Sequence, residues 1–272
     1  GHRSWPGIAE VAAATRKPLA TQARVEGAEV PARLSLPALK RASSELATHL
    51  IRARRSAQEF DGVTGIDAGK FYRMLDALLP RERLPPWSLT HEEPCVHLVL
   101  FVHRASGIEP GVYCLPRTQA ALDQLRAAMS VDWLWQRDPG APAHLPLYLL
   151  APLDVRQFAR AASCHQDIAA DSAFALAMLS RFDDIGSKRA WLYRQRFWEA
   201  GMLGQVLYLE AEAAGIQGTG IGCYFDDYVH RKLGLDTSCF QDIYHFTVGK
   251  AVVDPRLGTE AAYAHLEGRA GH

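Results

Sequence analysis

The chain has 272 residues, enough for one large domain or two small ones, and its 30 basic residues balance 30 acidic residues. A net charge of zero gives no electrostatic reason to expect a nucleic acid or an anionic membrane as a partner. No stretch is long and apolar enough to span a bilayer and no signal peptide is recognisable, so we expect a protein that acts away from membranes.

The cysteines predict the redox environment. Five are present, an odd number with wide spacings, which favours reduced thiols in a cytoplasmic protein over a disulfide framework. Neither Cys164-His165 nor Cys95-x-His97 has the paired spacing of a structural zinc site. We therefore expect no bound metal.

The first predicted elements are helical. Residues 1–35 have weak periodicity and predict an extended arm or a remnant of a longer chain. Residues 36–54 predict a helix with Ser35 as its N-cap. Residues 67–79 predict a second helix, in which Asp67 is the N-cap and Pro80 ends the element.

Strands and helices then follow in an irregular order. Apolar runs predict strands over residues 97–102, 111–115, 145–153 and 242–253. The alanine-rich residues 167–181 predict a helix, and residues 189–214 predict a long helical region interrupted near Gly201. Residues after 258 predict a tail. This order indicates an α+β fold with one mixed or antiparallel sheet.

Residues 201–222 combine an apolar helix with a run of glycines. The helical part, residues 201–214, is apolar nearly all the way round, which predicts burial in a core or a subunit interface. The following Gly218-Thr219-Gly220-Ile221-Gly222 comes after a helix, whereas a dinucleotide-binding glycine loop follows a strand. It is either a simple turn before an edge strand or a backbone surface for a flat or anionic ligand.

Basic residues at two places suggest a phosphate site. In Arg54-Arg55-Ser56-Ala57-Gln58, two guanidinium groups and a hydroxyl at a helix end could clamp a phosphate. A solvated basic helix end is the plainer alternative. Lys250 and Arg256, after the last predicted strand, could add cations to the same phosphate or be ordinary surface charges.

Aromatic residues lie at helical spacing before and after the glycine run. They are Trp191, Tyr193, Phe197, Trp198, Tyr224 and Phe225. Such a set could wall a flat ring system, although core packing is the commoner explanation for aromatic residues at helical spacing. The chain contains no G-x-S-x-G motif, so no hydrolase nucleophile is indicated.

Taken in order, four segments resemble the FMN-dependent nitroreductase superfamily, and most closely its SagB/ThcOx-type subgroup of peptide dehydrogenases, which oxidise azolines to azoles. The segments are RRSAQEFD at 54–61, HLVLFVHRASGIEPGVYCLPR at 97–117, EAGMLGQVLYLEAEAAGIQGTGIGCYFDDYVHRKLGLD at 199–236 and VGKAVVDPRL at 248–257. The resemblance covers about residues 39–257, which is most of the chain.

The resemblance implies a nitroreductase-like α+β fold with a central, mostly antiparallel sheet flanked by helices. Residues 36–258 would form the flavin domain and residues 259–272 a tail. It also implies a homodimer with FMN at the interface and the long buried helix at the dimer core. A chain of this kind can alternatively form a pseudo-dimer with a second nitroreductase-like half.

By position, the resemblance also implies the contacts of the cofactor. Arg54, Arg55 and Ser56, with Gln58 in the same clamp, would hold the phosphate and ribityl chain. Lys250 and Arg256 would close on the phosphate. The backbone of Gly220, Ile221 and Gly222 would lie beside the flavin ring.

The implied activity is that of an FMN-dependent oxidoreductase. FMN would take a hydride from NAD(P)H or from the substrate, which would be a small molecule or a peptide heterocycle. Lys188 and Tyr193 are the candidates for proton transfer. The sequence departs from the family pattern at Gln58, where a cation is usual, and at residues 89–94, where a Pro-Ser-type segment is usual. These departures motivate the alternative of a degenerate flavin-fold subunit that acts as a non-catalytic binding or scaffold protein.

Overall fold

The computed structural model describes residues 5–18, 36–89, 93–129 and 132–267, which form seven strands and nine helices. The strands are β1 Val96–Val102, β2 Gly111–Leu115, β3 Gln136–Arg137, β4 Tyr148–Pro152, β5 Phe174–Arg181, β6 Gln217–Ile221 and β7 Phe240–Gly249. The helices are α1 Ile8–Ala14, α2 Ala47–Ala53, α3 Ala68–Ala77, α4 Gln119–Ala128, α5 Arg156–Ala162, α6 Asp167–Asp171, α7 Leu192–Ala213, α8 Asp226–Leu233 and α9 Ala264–Glu267.

One antiparallel sheet joins all seven strands in the order β3-β4-β2-β1-β5-β7-β6. Its central strand β1 pairs Leu98 with Leu115 of β2 and with Met178 of β5. Every residue of β1 is buried, because helices cover both faces of the sheet. This confirms the predicted α+β fold with an antiparallel sheet flanked by helices.

Two hydrophobic cores lie on opposite faces of the sheet, since alternate residues of a strand point to opposite sides. On one face, Leu98 and Leu100 pack with residues of α3 and α7, such as Phe71 and Leu203. On the other face, Val99 and its alternating neighbours pack with residues of α4, α5 and α8. Within the described residues, no helix is long and apolar enough to cross a membrane.

The predicted helix over residues 167–181 is wrong. Only α6 is helical there, and the rest of the segment forms β5, which pairs with β1 and β7 over its whole length. Alanine has a high helix propensity, but pairing on both sides within the sheet outweighs it. The strand is buried on both faces, so it lacks the alternation of polar and apolar residues that would have distinguished it from a helix.

Other predicted boundaries change less. The helix predicted over residues 36–54 begins only at Ala47, and its proposed cap Ser35 lies outside the described residues. Helix α7 runs through Gly201 without a break, because a single glycine lowers helix propensity without ending a helix. Asp67 caps α3 as predicted, with its carboxylate accepting from the Lys70 N–H at 3.2 Å.

The strands predicted over residues 97–102 and 111–115 are confirmed as β1 and β2. The strand predicted over residues 145–153 is shorter, and the last strand begins and ends earlier than predicted. Beyond residue 258, the structure adds the short helix α9.

The expectation of reduced cysteines is wrong for one pair. Cys164 and Cys223 form a disulfide, with their Cα atoms 5.7 Å apart, whereas Cys95, Cys114 and Cys239 are free thiols. The bonded residues are separated by 59 positions. They meet because the turn between α5 and α6 packs against the loop between β6 and α8, a contact that cysteine spacing alone does not encode.

Candidate functional site

The segment after α2 runs across one edge of the sheet. Ser56 pairs in parallel with Gly218 of β6, and the Ala57 N–H donates to the Gly218 carbonyl at 3.1 Å. Further on, Phe60 pairs with Ala251, and the Asp61 N–H donates to the Lys250 carbonyl at 3.0 Å. The segment thereby ties the end of α2 to the start of β6 and to the chain just after β7.

This crossing brings together several of the residues that the sequence selected for a phosphate site. Gly218, which pairs with Ser56, pairs on its other side with Val248 of β7. The backbone of Ser56 therefore lies about two strand spacings, roughly 10 Å, from that of Val248, two residues before Lys250. Among the described residues, Arg54, Arg55 and Lys250 form no ion pair with a carboxylate, so their charges are not neutralised locally.

Tyr208 of α7 joins the elements of this junction. Its Oη lies 2.9 Å from Ser56 Oγ and accepts a hydrogen bond from the Gly220 N–H at 3.0 Å. The Arg54 guanidinium lies over the Tyr208 ring, 4.5 Å from its centroid, in a cation–π contact. Sequence reasoning counted Tyr208 only as an apolar helix residue. The sequence did contain one clue, the hydroxyl of Tyr208, because a tyrosine on an apolar helix face usually forms a hydrogen bond with a polar partner.

Arg55 and Gln58 both lie in the segment after α2, but they differ in their contacts and exposure. Arg55 donates to the carbonyls of Arg52, Arg54 and Glu260 at 2.8–2.9 Å, which fixes its guanidinium beside the end of α2. Gln58 is exposed.

The structure holds Arg256 apart from this cluster. Its guanidinium donates through Nε and Nη2 to both oxygens of Asp254, two residues earlier. These bonds are the main cause of a lowered Asp254 pKa, so the carboxylate stays ionised and neutralises Arg256. The side chain of Arg256 is exposed. Its local partner is thus a carboxylate, where the sequence suggested a phosphate.

The glycines of the GTGIG run lie mainly within strand β6. A Cβ at Gly218 would stand 2.7 Å from the Phe246 ring, and one at Gly220 would collide with the Tyr244 hydroxyl. Ile221 is buried in the core. Packing of the chain's own aromatic rings therefore requires glycine at 218 and 220. Gly222 differs, because it is exposed and no atom lies within 4 Å of its Cβ position.

Three tyrosines, Tyr208, Tyr244 and Tyr224, lie near one another and are called the phenol row. Tyr208 accepts from the Gly220 N–H, the Tyr244 ring packs against Gly220, and Tyr224 donates to the carbonyl of Ile243, next to Tyr244. Burial is the main cause that raises the pKa of Tyr224 and of Tyr244. Tyr193 and Tyr208 are on the same helix, about 22 Å apart along its axis.

The two proton-transfer candidates lie at the opposite end of α7 from the basic cluster. Lys188 is exposed in a short 3₁₀ turn before the helix, and within the described part of the chain it has no hydrogen-bond or ion-pair partner. Tyr193 is half-exposed, with its ring 5.0 Å from that of Phe197. Among the described residues, neither Tyr193 nor Lys188 makes a hydrogen bond or a ring contact with the cofactor candidates.

A concave pocket of about 280 Å³ opens on another side of α7. Its lining includes Trp87, Pro94, Cys95, Arg117, Trp198 and Glu199. Glu199 bonds to the buried Arg117 and accepts from the Cys95 N–H at 3.0 Å and the Cys95 thiol at 2.8 Å. Burial, reinforced by Glu199, raises the pKa of Cys95, so this thiol stays protonated and is a poor nucleophile. Sequence reasoning did not identify this buried Arg–Glu pair.

Several solved structures have the same fold as this chain. A protein assigned as a nitroreductase from Anabaena variabilis has a TM-score of 0.57 and 21% identity, with 76% of this chain and 38% of that chain covered. The chain thus spans 38% of that protein's length. A protein assigned as a nitroreductase from Ralstonia eutropha has a TM-score of 0.55 and 17% identity, covering 81% of this chain and 90% of that chain.

A third similar structure is the Escherichia coli microcin synthetase McbBCD complex with truncated pro-MccB17 bound. It has a TM-score of 0.53 and 19% identity, with 88% of this chain and 83% of that chain covered. Comparison with curated proteins finds no match. The sequence profile described as the nitroreductase family matches residues 51–250. With this match over most of its length and the same fold, the chain belongs to the nitroreductase family.

Proposed function

We propose that the protein is an FMN-dependent oxidoreductase. Members of its family are generally flavin oxidoreductases that bind FMN. The observation that carries the proposal is the junction of α2, β6 and β7. There the segments that carry Arg54, Arg55, Ser56 and Lys250 meet, and within the described residues no carboxylate forms an ion pair with these three cations. Guanidinium, hydroxyl and ammonium donors are the groups that bind a phosphate, so this donor set fits the phosphate end of FMN.

Each residue then has a stated task. Arg54, Arg55 and Ser56 bind the phosphate and ribityl chain, Gln58 adds a neutral donor, and Lys250 adds a charge. Tyr208 orients Ser56 and the Gly220 N–H through its hydroxyl. Arg256 would join them only by leaving Asp254. When bound, FMN supplies two-electron hydride chemistry, and the protein binds it, orients it and moves protons.

The open backbone at Gly222 is the part of the glycine run best suited to a flat ring. It is exposed and free of neighbouring side chains, whereas the positions above Gly218 and Gly220 are filled by Phe246 and Tyr244. Gly222 also lies two residues before Tyr224 of the phenol row, in the loop between β6 and α8. We therefore propose that the flavin ring lies beside Gly222, with Gly220 and Ile221 supporting it through the backbone.

Proton transfer is proposed for Tyr193, with Lys188 as the second candidate. Tyr193 is 37% exposed, so its side chain is open to a substrate. The electron donor is NAD(P)H or the substrate itself. The similarity to a chain of the McbBCD complex, solved with truncated pro-MccB17 bound, favours a peptide substrate and SagB-like dehydrogenase chemistry over a free small molecule.

A homodimer is proposed from the surface of α7. Leu203, Leu207 and Ala211 are buried against the sheet, whereas Phe197 and Trp198 on the same helix are 39% and 63% exposed. Exposed aromatic residues on a helix indicate a surface that a partner covers. A second copy or a second nitroreductase-like half would cover it, and the match to only 38% of the Anabaena protein makes a pseudo-dimer the alternative. We propose a cytoplasmic location.

The competing proposal is a degenerate flavin-fold subunit that binds or scaffolds a partner without catalysis. The chain's own aromatic rings fill the space above Gly218 and Gly220, and its own carbonyls engage Arg55, as expected if these features are structural. The two proposals differ in one measurable property, the affinity for FMN.

Calorimetric titration with FMN tests the proposal on the wild-type chain and two variants. Arg54→Gln should raise the Kd by about 10- to 100-fold, because a charge-assisted hydrogen bond contributes about 1.5–3 kcal/mol. Arg83→Gln is the matched control, an exposed arginine that makes no ion pair within the described residues. No binding by any of the three proteins would favour the non-catalytic subunit, and equal affinities in all three would show that Arg54 does not hold the phosphate.

A further inference from the structure

The disulfide Cys164–Cys223 joins two loops that differ in how firmly they are held. On one side is the turn at residues 163–166, between α5 and α6. On the other is the loop at residues 222–225, between β6 and α8, which we call the latch loop. Cys223 is exposed and Cys164 is half-buried, so the sulfur of Cys223 lies on the more solvent-accessible residue.

The turn at residues 163–166 is anchored in the core. Ser163 is 2% exposed, and its hydroxyl bonds to His245 Nδ1 of β7 at 3.0 Å. His245 Nε2 in turn bonds to the buried carboxylate of Asp242 at 2.7 Å. Neither of these bonds involves a cysteine. The Cys164 side of the disulfide is therefore tied to the core through Ser163.

The same turn holds an unfavourable backbone conformation. Cys164 and His165 have φ angles of 53° and 58°, in the left-handed region that side chains with a Cβ generally avoid. The disulfide is the one covalent restraint between this turn and the latch loop among the described residues. Breaking it would let the backbone of Cys164 and His165 relax.

The latch loop depends more on the disulfide. Gly222, Cys223 and Phe225 are exposed. Besides the disulfide, three hydrogen bonds within the described residues join the loop to elements other than α8: Phe225 N–H to the Ala162 carbonyl at 2.8 Å, Gln166 Nε2 to the Cys223 carbonyl at 3.2 Å, and Tyr224 Oη to the Ile243 carbonyl at 2.6 Å. Two of them reach residues at or beside the α5–α6 turn, so relaxation of that turn would weaken both.

We propose that Cys164–Cys223 is a redox latch that controls the order of the latch loop. The reductant is a dithiol. One of its thiolates attacks Cys223 Sγ, the bond to Cys164 breaks, and Cys164 leaves and takes up a proton. The second thiol of the reductant then attacks the mixed disulfide, releasing Cys223 as a thiol and the reductant as a cyclic disulfide. Two electrons and two protons pass from the dithiol to the protein.

The latch acts on the proposed function, on which this part of the inference rests. The latch loop carries Gly222, the open position proposed for the flavin ring, and Tyr224, which stacks on His245 at 4.7 Å and belongs to the phenol row. The oxidised latch holds both residues in place for FMN, and the reduced latch releases them and weakens FMN binding. In a cytoplasm, thiol pools keep exposed disulfides reduced, so the closed latch marks oxidising conditions.

Hydrogen exchange on FMN-free protein tests the latch without the cofactor. Dithiothreitol should speed exchange at residues 222–225 by roughly tenfold and leave the amides of β1 and β5 unchanged, since local opening lowers protection only where it occurs. Cys223→Ser should exchange fast at the latch loop with or without dithiothreitol. Cys239→Ser, which alters a free thiol, should respond as the wild type does.

Alkylation under native conditions checks the bond itself. Without reductant, Cys164 and Cys223 should resist iodoacetamide because their sulfur atoms are bonded to each other. After dithiothreitol, Cys223 should be alkylated. Alkylation of Cys223 without reductant, or unchanged exchange at residues 222–225 after reduction, would overturn the latch.

Measuring the FMN Kd in both redox states separates the two proposals. A higher Kd after reduction in the wild type, and no change on reduction of Cys223→Ser, supports the control of FMN binding. Equal Kd values in both states overturn that control. Failure of both states to bind FMN overturns the proposed function, while a redox-dependent exchange rate would still establish the latch as a conformational device.

Discussion

Tyr208 Oη lies 2.9 Å from Ser56 Oγ, a contact between residues 152 positions apart that couples α7 to the segment after α2. The same hydroxyl accepts the Gly220 N–H, and the ring lies under Arg54. A single side chain therefore fixes three of the residues proposed to bind FMN. Removing the Tyr208 side chain should therefore weaken FMN binding through these three residues.

Tyr208→Phe isolates the hydroxyl. The variant keeps the ring under Arg54 but loses the bonds to Ser56 and Gly220, so the free energy of unfolding should fall by about 1–2 kcal/mol. The Kd for FMN should rise by roughly tenfold because Ser56 is no longer oriented. Urea unfolding and FMN titration give the two values.

Tyr228→Phe is the control for the loss of a phenol, since the Tyr228 hydroxyl has no hydrogen bond within the described residues and its ring packs on Phe158. A Tyr208→Phe variant indistinguishable from Tyr228→Phe in both measurements would contradict the role given to Tyr208.

The two glycines 220 and 222 should respond differently to the same substitution. Gly220→Ala places a Cβ against the Tyr244 hydroxyl and should destabilise the fold by about 1–3 kcal/mol, as overpacking does. Gly222→Ala meets no atom within 4 Å and should leave stability within about 0.5 kcal/mol, but should weaken FMN binding if the ring lies there.

Adding Tyr244→Phe to Gly220→Ala removes the hydroxyl that the new methyl group meets. Urea unfolding of the double variant should recover part of the lost stability. No recovery would mean that the conformation of β6, and not the contact with Tyr244, requires glycine at this position.

Glu199 should matter for stability because its partner is buried. The side chains of Arg117 and Glu199 are 1% and 12% exposed. Glu199→Gln leaves the Arg117 charge without its carboxylate, and breaking a buried pair in this way costs about 3–5 kcal/mol. Asp154→Asn, which breaks the exposed pair with Arg156, should leave urea unfolding almost unchanged. Similar small effects for both variants would show that Arg117 keeps enough partners in the Leu78 and Val96 carbonyls.

The protein should lose stability in mild acid through its buried histidines. Burial is the main cause that lowers the pKa of His97 to about 3 and that of His103 to about 4. Below about pH 6.5 the unfolded chain binds protons at these histidines and the native state does not, so the free energy of unfolding falls as the pH drops from about 6.5 toward 4. Each histidine contributes a slope of up to about 1.4 kcal/mol per pH unit.

His103→Gln tests the contribution of one histidine. The amide nitrogen of glutamine can replace His103 Nε2 as a partner of the Ala169 carbonyl, but it does not titrate. Urea unfolding between pH 7 and 4 should show a shallower loss for the variant than for the wild type. Parallel curves would assign the acid sensitivity to other groups.

The sequence predicted the elements whose determinants are local. Asp67 bonds to the N–H three residues later, so the start of α3 could be read from a few neighbouring positions. β5 could not be predicted in this way, because its alanines favour a helix and its two buried faces remove any alternation. Only its pairing with β1 and β7, both distant in sequence, makes it a strand.

The arrangement of the candidate site was less predictable than its residue types. The sequence proposed Arg54, Ser56 and Lys250 as hydrogen-bond donors to a phosphate, and the fold draws their segments to one edge of the sheet. It did not predict Tyr208 as the residue that joins them or the pairing of Cys164 with Cys223, since both depend on contacts across 152 and 59 positions. Such contacts exist only after the sheet has formed.

The most direct test of the central claim is the visible absorption spectrum of the protein after incubation with FMN and removal of unbound flavin. The proposed site predicts a yellow protein that releases about one FMN per chain on denaturation. A colourless protein that retains no FMN would contradict the assignment of this junction as a flavin site and leave the non-catalytic subunit as the better account.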